Sequence, residues 1–215
     1  MNDDIRHKVD GFFSSYRLAK YPKNQILLFP GDIVDKVYYV VSGRVCQYDI
    51  SYRGDDVIIN TFKPPAFFPM AMVIEGTPSN FFYRCESDVE VRVAPAGDVL
   101  QFIHETPEVT FDLLRRVYSG AESMLKKMVL LMSGTARSRL IYEVIVEYRR
   151  FGTYAEEAGH LYLSEVSLAA RTGLSRETVN RELKRLKDQG LIEVKKNKII
   201  VMNIAKLEAI LQSQP

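Results

Sequence analysis

The chain has few of the residues that disulfide, haem and metal sites require. Its 215 residues include no tryptophan, two cysteines and three histidines. Cys46 and Cys85 lie far apart in the sequence and form no C-x-x-C motif, which argues against a disulfide framework and against a zinc finger. We expect both to be reduced, buried thiols, and a thiol switch is kept as an alternative.

Long apolar runs and a targeting segment are also absent. No stretch of about 18 consecutive apolar residues occurs, and the acidic start at residues 1–4 lacks the pattern of a signal peptide. Apolar residues still make up 47% of the chain, which is enough for hydrophobic cores. The length suits two domains of about 100 to 150 residues. We therefore expect a soluble, cytoplasmic protein that does not enter a membrane.

Motifs typical of enzymes are missing as well. The sequence contains no G-x-S-x-G, Walker or H-E-x-x-H motif and no paired Cys/His arrangement. These motifs hold the nucleophiles, phosphates and metal ions of many enzymes. We therefore predict that the protein is not an enzyme.

The charge differs between the two parts of the chain. Residues 1–134 contain 15 Lys and Arg against 17 Asp and Glu, whereas residues 135–215 contain 14 against 10. The C-terminal part is therefore basic, as contact with the phosphates of nucleic acid requires.

The apolar pattern divides the chain into segments of different type. Residues 4–20 have the spacing of a short helix. Residues 26–93 form short apolar or alternating runs separated by turn residues, which are typical of an antiparallel barrel or sandwich. Helical spacing returns at 107–132 and again at 135–151. This order predicts an α+β protein.

A narrow apolar seam runs along the predicted helix at 107–132. Its members are spaced 3, 4, 3, 4 and 3 residues apart, which is a coiled-coil heptad pattern. Such a seam suits pairing with the same helix of a second copy, and the alternative is that it covers the β-rich domain. Leu113 and Leu125 lie beside the seam and are candidates to face that domain. The predicted dimer-interface residues are Leu114, Val117, Ala121, Met124, Met128 and Leu131.

Residues 163–186 have the pattern of a helix-turn-helix. Ser164 is placed to cap a first helix that ends at Gly173, and Ser175 is placed to cap a second. In the second helix one face is apolar and the other is crowded with charged residues. The apolar stripe consists of Val179, Leu183 and Leu186.

A hairpin follows the second helix, which is predicted to end at Gly190. Residues 191–194 and 199–201 are the predicted strands, and the basic turn Lys195-Lys196-Asn197-Lys198 joins them. Asn203 is placed to cap a last helix through residue 211. The segment is thus predicted to be a winged helix-turn-helix with a basic wing tip.

Three segments resemble the Crp/Fnr family of bacterial transcription regulators. Residues 37–45 are similar to the family's strand-glycine-strand hairpin, 174–181 to the core of its recognition helix, and 186–192 to the exit into the wing. The resemblance covers nearly the whole chain because the elements follow the same order. The domains it implies are a double-stranded β-helix (jelly-roll) effector domain at 1–107, a dimerisation helix and hinge at 108–134, and a winged helix-turn-helix DNA-binding domain at 135–215.

The start of the second helix of the motif carries the predicted DNA contacts. Arginine can donate two hydrogen bonds to guanine and glutamate can accept one from cytosine. Arg176, Glu177 and Arg181 are therefore predicted to read bases, with a solvated helix face as the alternative. The predicted backbone contacts, among which the resemblance assigns Thr178, are Ser175, Thr178, Lys184, Arg185, Lys195, Lys196 and Lys198.

The effector segment departs from the family pattern. In cyclic-nucleotide-binding relatives it carries a Gly-Glu pair and an Arg-Ser pair that holds the phosphate and ribose, and here Pro69-Met70 and Ser79-Asn80 take those places. A buried phosphate without a cation suffers an uncompensated desolvation cost, so we do not expect cyclic AMP. The candidate effector-pocket residues are Phe68, Met70, Met72, Ser79, Asn80, Phe82 and Arg84, of which Arg84 is the nearest substitute cation.

Other sensor chemistries of the family fit the sequence poorly. An iron-sulfur cluster needs four cysteine ligands and the chain has two. His7, His104 and His160 are scattered, which argues against a haem ligand. An apolar site for an aromatic or lipid-like effector, and regulation without any effector, both stay open.

Together these features predict a sequence-specific DNA-binding transcription regulator. It would act as a homodimer on double-stranded DNA at a pseudo-palindromic operator, with an unidentified small-molecule effector in the β-roll and RNA polymerase as a further candidate partner. The alternative is a β-roll signalling or protein-interaction module whose winged helix does not bind DNA. Salt separates the two, because DNA binding through several Lys and Arg weakens steeply as salt rises.

Overall fold

The computed structural model describes residues 3–155, 158–196 and 198–212. The chain forms two compact units, residues 1–119 and 120–215. Among the described residues, no helix combines the length and the apolar character that a membrane span requires.

The first unit is built on strands, with helices at both ends. Its elements in order are α1 (Asp3–Ser14), β1 (Leu18–Tyr21), β2 (Ile26–Leu28), β3 (Lys36–Ser42), β4 (Val45–Ile50), β5 (Asp56–Phe62), β6 (Phe67–Phe68), α2 (Met70–Glu75), β7 (Phe82–Cys85), β8 (Val89–Pro95), α3 (Ala96–Glu105) and the first part of α4 (Pro107–Ser133).

The strands of this unit form two antiparallel sheets, β1-β8-β3-β6 and β2-β7-β4-β5. Their inward side chains share one apolar core, to which both sheets contribute. A second core lies among strand β3 and helices α1, α3 and α4. Its fully buried members include Val9, Phe13, Val99 and Val109. The predicted β-roll with helices around it is therefore confirmed.

The N-terminal prediction was wrong in one respect. The helix expected at 4–20 ends at Ser14, and β1 pairs with β8 from Leu18 opposite Arg92 to Tyr21 opposite Val89. The Arg92 guanidinium donates to the carbonyl oxygens of Ser14 and Tyr16 at 2.9 and 2.7 Å. It thereby satisfies carbonyl groups that the end of the helix leaves without a partner.

Three further elements of the first unit were not expected from the sequence. The strand β6 has two residues and the helix α2 has six, so neither is long enough to show a period. The third is α3, whose buried Val99 and Ile103 are four residues apart. This i, i+4 spacing is the helical pattern from which α3 could have been predicted.

The second unit contains the winged helix-turn-helix. Its elements after α4 are α5 (Ala136–Phe151), β9 (Thr153–Ala155), β10 (Ala158–Leu161), α6 (Glu165–Thr172), α7 (Arg176–Asp188), β11 (Ile192–Lys195), β12 (Lys198–Val201) and α8 (Ile204–Gln212). The strands form one sheet in the order β11-β12-β10-β9. The hairpin of β9 and β10 was not predicted, and Asn197 of the predicted wing tip lies outside the described residues.

The predicted helix caps of this unit are confirmed. The hydroxyl oxygens of Ser164 and Ser175 accept hydrogen bonds from the backbone N–H of Ser167 and Thr178. Gly173 has φ +67°, a left-handed conformation that costs glycine little, and this conformation ends α6. These caps fix the turn between the two helices of the motif.

Candidate nucleic-acid interface and effector pocket

Helix α7 has one buried side and one exposed side. Val179, Leu183 and Leu186 pack into the core of the second unit and are at most 2% exposed. Arg176 and Arg181, on the other side, are exposed. The apolar stripe therefore anchors the helix and leaves the predicted base-reading side chains free to meet a ligand.

The first turn of α7 favours a charged Glu177. Its carboxylate accepts hydrogen bonds from its own backbone N–H and from the Ser175 hydroxyl, which together lower the pKa of Glu177 below its usual value. The Ser175 hydroxyl also lies 3.1 Å from that of Thr178. Glu177 is thus ionised at neutral pH and able to accept a hydrogen bond.

A buried carboxylate connects two arginines of the same helix. The Glu182 side chain is 3% exposed, and its Oε1 lies 2.7 Å from Nη1 of Arg185 and 3.7 Å from Nε of Arg181. Glu182 was not among the residues predicted to form the site. The i, i+3 spacing of Glu182 and Arg185 was the available signal.

A second buried pair holds α6 against α5. Nη1 of Arg171 lies 3.0 Å from Oε1 of Glu147, and these side chains are 3% and 1% exposed. The Nε of Arg171 also donates to the Ser167 hydroxyl at 3.2 Å. Neither residue was predicted to matter, because charged residues in a helix usually face solvent.

The wing, which is the hairpin of β11 and β12, and the start of α6 line an open cleft of about 450 Å³. Ser164, Glu165 and Val166 lie on the helix side, and Lys195 and Lys196 lie on the wing side. Its remaining lining is apolar and consists of Leu163, Leu183, Val194 and Ile199. The structure thus brings the two wing lysines close to the first helix of the motif.

The other predicted backbone contacts lie on exposed parts of the same unit. Lys184 and Arg185 are exposed on α7. The ammonium group of Lys198 lies 5.7 Å from the centre of the Tyr162 ring, a cation–π arrangement. Nζ of Lys195 lies 3.7 Å from Oε2 of Glu193, which is on the same strand, β11.

The predicted dimer seam of α4 is exposed along its whole length. Val117 is 65% exposed and Met124 is 60% exposed, although both are apolar. Of the two residues expected to face the β-rich domain, Leu113 is half-buried against the second core, whereas Leu125 is 59% exposed and the expectation is wrong for it. The remaining seam residues, Leu114, Ala121, Met128 and Leu131, are also exposed.

The C-terminal half of α4 is fastened to α5 within the second unit. The Tyr142 hydroxyl donates to the Ser123 carbonyl oxygen at 3.0 Å, and Lys127 lies 3.2 Å from the buried Glu143. Arg139 donates to the carbonyl oxygens of Leu130 and Leu131. Hydrogen bonds and an ion pair therefore join α5 to α4 on either side of residues 133–135, where the two helices meet.

Aromatic side chains fill the interior of the β-roll at the predicted effector pocket. The rings of Phe68 and Tyr83 stack with their centres 5.2 Å apart, and both are at most 2% exposed. The Tyr83 hydroxyl donates to Sδ of Met72 at 3.8 Å, and burial raises the pKa of Tyr83. Tyr38 also stacks against Phe68, and the Phe62 ring is tilted towards it with the ring centres 4.9 Å apart.

The other candidate pocket residues do not converge on this interior. Met70 packs with the second core, next to α1 and α3. The Ser79 hydroxyl donates to the Phe81 carbonyl oxygen at 2.8 Å, and its backbone pairs with Gly31 and Asp32. Asn80 is exposed. Ser79 thus has a local bonding role.

Arg84 and Phe82 lie on the opposite face of β7 from Tyr83, because successive strand residues alternate between faces. The guanidinium of Arg84 lies 2.6 Å from Asp56 and 4.4 Å from the centre of the Tyr48 ring. Phe82 stacks on the same Tyr48 ring. The substitute cation is therefore already engaged by a carboxylate.

The two cysteines are buried and are not joined in a disulfide. Burial raises the pKa of Cys85 to about 11. Because the thiolate is the reactive form, this environment disfavours oxidation of Cys85 at neutral pH.

Two family models match the chain. The cyclic nucleotide-binding domain matches residues 18–106, and the Crp-like helix-turn-helix domain matches residues 138–210. The chain belongs to the Crp/Fnr family of transcription regulators.

Curated relatives match this chain over most of their length. The "Global nitrogen regulator" of Nostoc sp. is 27% identical over 185 residues, which are 84% of this chain and 83% of the relative. The "Cyclic AMP receptor protein" of Thermus thermophilus is 27% identical over 205 residues, 94% of this chain and 92% of the relative.

Solved structures share the fold. A CooA mutant from Carboxydothermus hydrogenoformans has a TM-score of 0.77 at 20% identity, over 94% of this chain and 90% of that chain. FixK2 from Bradyrhizobium japonicum has a TM-score of 0.77 at 21% identity, over 90% of this chain and 96% of that chain.

Substitutions at Ser175 separate helix capping from phosphate contact. Ser175→Ala removes the cap and should lower the free energy of unfolding by about 1 kcal/mol. Ser175→Asp keeps a capping oxygen but adds a negative charge, so we expect near-normal stability and weaker DNA binding. Chemical denaturation and fluorescence anisotropy with duplex DNA measure the two effects. Ser175→Asn is the control, because it caps without a charge. Equal DNA affinity of the Asp and Asn variants would place Ser175 away from phosphate.

Proposed function

We propose that this Crp/Fnr protein acts as a homodimer on a pseudo-palindromic operator, to which α7 binds in the major groove. The observation that carries the proposal is the exposed row of charged side chains on a helix whose opposite face is anchored in the core. A helix-turn-helix places the N-terminal residues of its second helix against base edges. Arg176 and Glu177 occupy that end of α7.

Base reading is assigned to Arg176, Glu177 and Arg181. Each arginine can donate two hydrogen bonds to guanine O6 and N7, and the ionised Glu177 can accept one from cytosine N4. Each such pairing discriminates against a wrong base by about 1 to 3 kcal/mol. The operator half-site is therefore expected to contain G·C pairs.

Phosphate contact is assigned to the cap of α7, to its later basic residues and to the wing. Ser175, Thr178 and the first backbone N–H groups of the helix form a site that favours anions. The lysines and arginine carry no sequence information and supply affinity that falls with salt. They are Lys184, Arg185, Lys195, Lys196 and Lys198.

The dimer is proposed to form through the exposed seam of α4. Apolar side chains such as Val117 and Met124 are normally withdrawn from water, and a heptad seam is buried when two helices pair. Two recognition helices about 34 Å apart then match one turn of DNA. We also propose RNA polymerase as a partner of the bound dimer, and a supershift of the operator complex by purified polymerase would test this.

The proposed domain limits remain 1–107, 108–134 and 135–215. Effector binding in the first domain would shift the protein between two pre-existing states by reorienting the winged domain through residues 133–135. Such a movement must break or carry along the bonds from Arg139 to α4. Limited proteolysis at this segment with and without effector would test the movement.

The effector is proposed to be an uncharged, mainly apolar molecule. Phe68, Tyr83 and Met72 form an aromatic and thioether surface inside the β-roll, whereas Arg84 is paired with Asp56 on the other face of β7. A cyclic phosphate placed beside Tyr83 would have no such cation among these residues and would be costly to bury. Pro69 and Met70 also supply no side-chain hydrogen-bond donor for ribose or phosphate.

Base reading predicts different outcomes for two classes of variant. Arg176→Ala and Arg181→Ala should each reduce discrimination between a selected operator and scrambled DNA by about 5- to 150-fold, which corresponds to about 1 to 3 kcal/mol. Lys196→Ala is the control and should weaken binding to both DNAs equally. Competition gel shifts measure the ratio. Unchanged discrimination in both arginine variants would refute the readout assignment.

The seam predicts the effect of a charge on dimerisation. Val117→Asp buries a carboxylate in the proposed interface, so we expect dissociation to monomers in sedimentation-velocity ultracentrifugation. Ser119→Asp adds the same charge two residues away, on the side of the helix opposite the seam, and should remain dimeric. A dimeric Val117→Asp variant would contradict the heptad interface.

The effector proposal predicts that cyclic AMP does not stabilise the protein. A ligand at a hundred times its Kd stabilises the folded state by about 2.7 kcal/mol, so bound cyclic AMP would raise the melting midpoint by several degrees. We expect no rise with cyclic AMP and a rise with the apolar molecule released from purified protein and identified by mass spectrometry. A cyclic AMP shift that disappears in Arg84→Gln would overturn the proposal.

A further inference from the structure

The first helix of the motif, α6, begins with a carboxylate. The basic side chains around it belong to a surface that would attract phosphate. Glu165 is the first residue of α6, directly after its cap Ser164, and its side chain is exposed. It shares the cleft described above with Lys195 and Lys196. The acid therefore belongs to the same surface as the predicted backbone contacts of the wing.

Asn180 of the recognition helix holds this carboxylate in place. Its side-chain amide faces the two carboxylate oxygens, so the orientation that satisfies both residues has the nitrogen on that side, where it donates to Glu165 Oε1 at 3.0 Å and lies 3.1 Å from Oε2. Asn180 follows Arg176 by four residues, so the two side chains share one face of α7. The bond connects the two helices of the motif on their exposed side.

This placement opposes the attraction of DNA to the same surface. In a helix-turn-helix the first helix crosses the sugar-phosphate backbone. The capped start of α6 would by itself favour an anion, because its N–H groups and dipole point that way. A carboxylate fixed at that point repels phosphate over a distance comparable with the Debye length, about 10 Å at 0.1 M salt.

We propose that Glu165 weakens the sequence-independent part of DNA binding by repelling phosphate, and that Asn180 is a positioning residue that acts through it. The proposal rests on the DNA-binding function proposed above. Non-specific affinity comes almost entirely from phosphate contacts, so one fixed negative charge lowers it directly. Recognition of the operator then depends more heavily on the base contacts of Arg176, Glu177 and Arg181.

The test uses the full-length protein and an arbitrary duplex of about 30 base pairs, so that no operator needs to be known. Glu165→Gln removes the charge and keeps a side chain that can bond to Asn180. We expect about fivefold tighter binding at about 0.1 M salt. The plot of log affinity against log salt should become steeper by about 0.9, the value for one additional phosphate contact. Fluorescence anisotropy over a salt series measures both quantities.

Glu208→Gln is the matched control for net charge. Glu208 lies on α8 and pairs with Arg149, so the variant removes one negative charge away from the proposed DNA surface. It should leave affinity and salt slope as in the unmodified protein. An equal gain in Glu208→Gln would show a general charge effect and would overturn the assignment to Glu165.

A double-mutant cycle tests the role of Asn180. Asn180→Ala releases the Glu165 side chain from α7, so we expect a smaller gain in affinity than Glu165→Gln gives. In the Glu165→Gln background, Asn180→Ala should give no further gain. Equal effects in both backgrounds would show that Asn180 does not act through Glu165. Unchanged thermal unfolding of both single variants shows that the affinity changes do not come from misfolding.

The experiment separates this inference from the proposed function. If the unmodified protein shows no salt-dependent affinity for the duplex, the DNA-binding proposal fails. If the unmodified protein binds and Glu165→Gln leaves both affinity and slope unchanged, only the role of Glu165 fails. Weaker duplex binding by Glu165→Gln would also refute that role.

Discussion

The buried ion pair between Arg171 and Glu147 is the interaction on which the DNA-facing surface depends. Both side chains are almost fully withdrawn from solvent, and they join α6 to α5. Removing one member of such a pair leaves an uncompensated charge in the interior and typically costs about 3 to 5 kcal/mol. Because α7 follows α6 after a tight capped turn, the position of α6 also sets the position of the recognition helix. This buried ion pair thus determines where the exposed side chains of α7 lie.

The β-roll uses its interior differently. Aromatic rings pack around Phe68 in the interior, and Arg84 is held by Asp56 on the other face of the sheet. A ligand in contact with these rings would gain binding free energy from apolar area and shape, with few directional groups. The chemistry of this interior is therefore set by a small number of aromatic and apolar side chains.

Much of the fold could be predicted from the sequence, because local signals were strong. Ser164, Gly173 and Ser175 mark the ends of helices by their own chemistry, and the heptad spacing of α4 is visible without any partner. The fold of the effector segment was less accessible, because β6 and α2 are too short to show a period. Met70 illustrates the limit, since its membership of the second core depends on tertiary packing. Glu147, Arg171 and Glu182 were missed for a related reason: burial of a charge depends on a partner elsewhere in the fold.

The buried Glu182 has a consequence for how the recognition helix meets DNA. Its carboxylate contacts one arginine assigned to bases and one assigned to phosphate, Arg181 and Arg185. The Arg185 guanidinium, which donates to Glu182 at 2.7 Å, is therefore oriented in the free protein, so less of its rotamer freedom is lost when it binds with this bond intact. Turning it away from Glu182 would leave a buried negative charge with one partner fewer. An approach to DNA in which Arg185 keeps its bond to Glu182 is thus favoured.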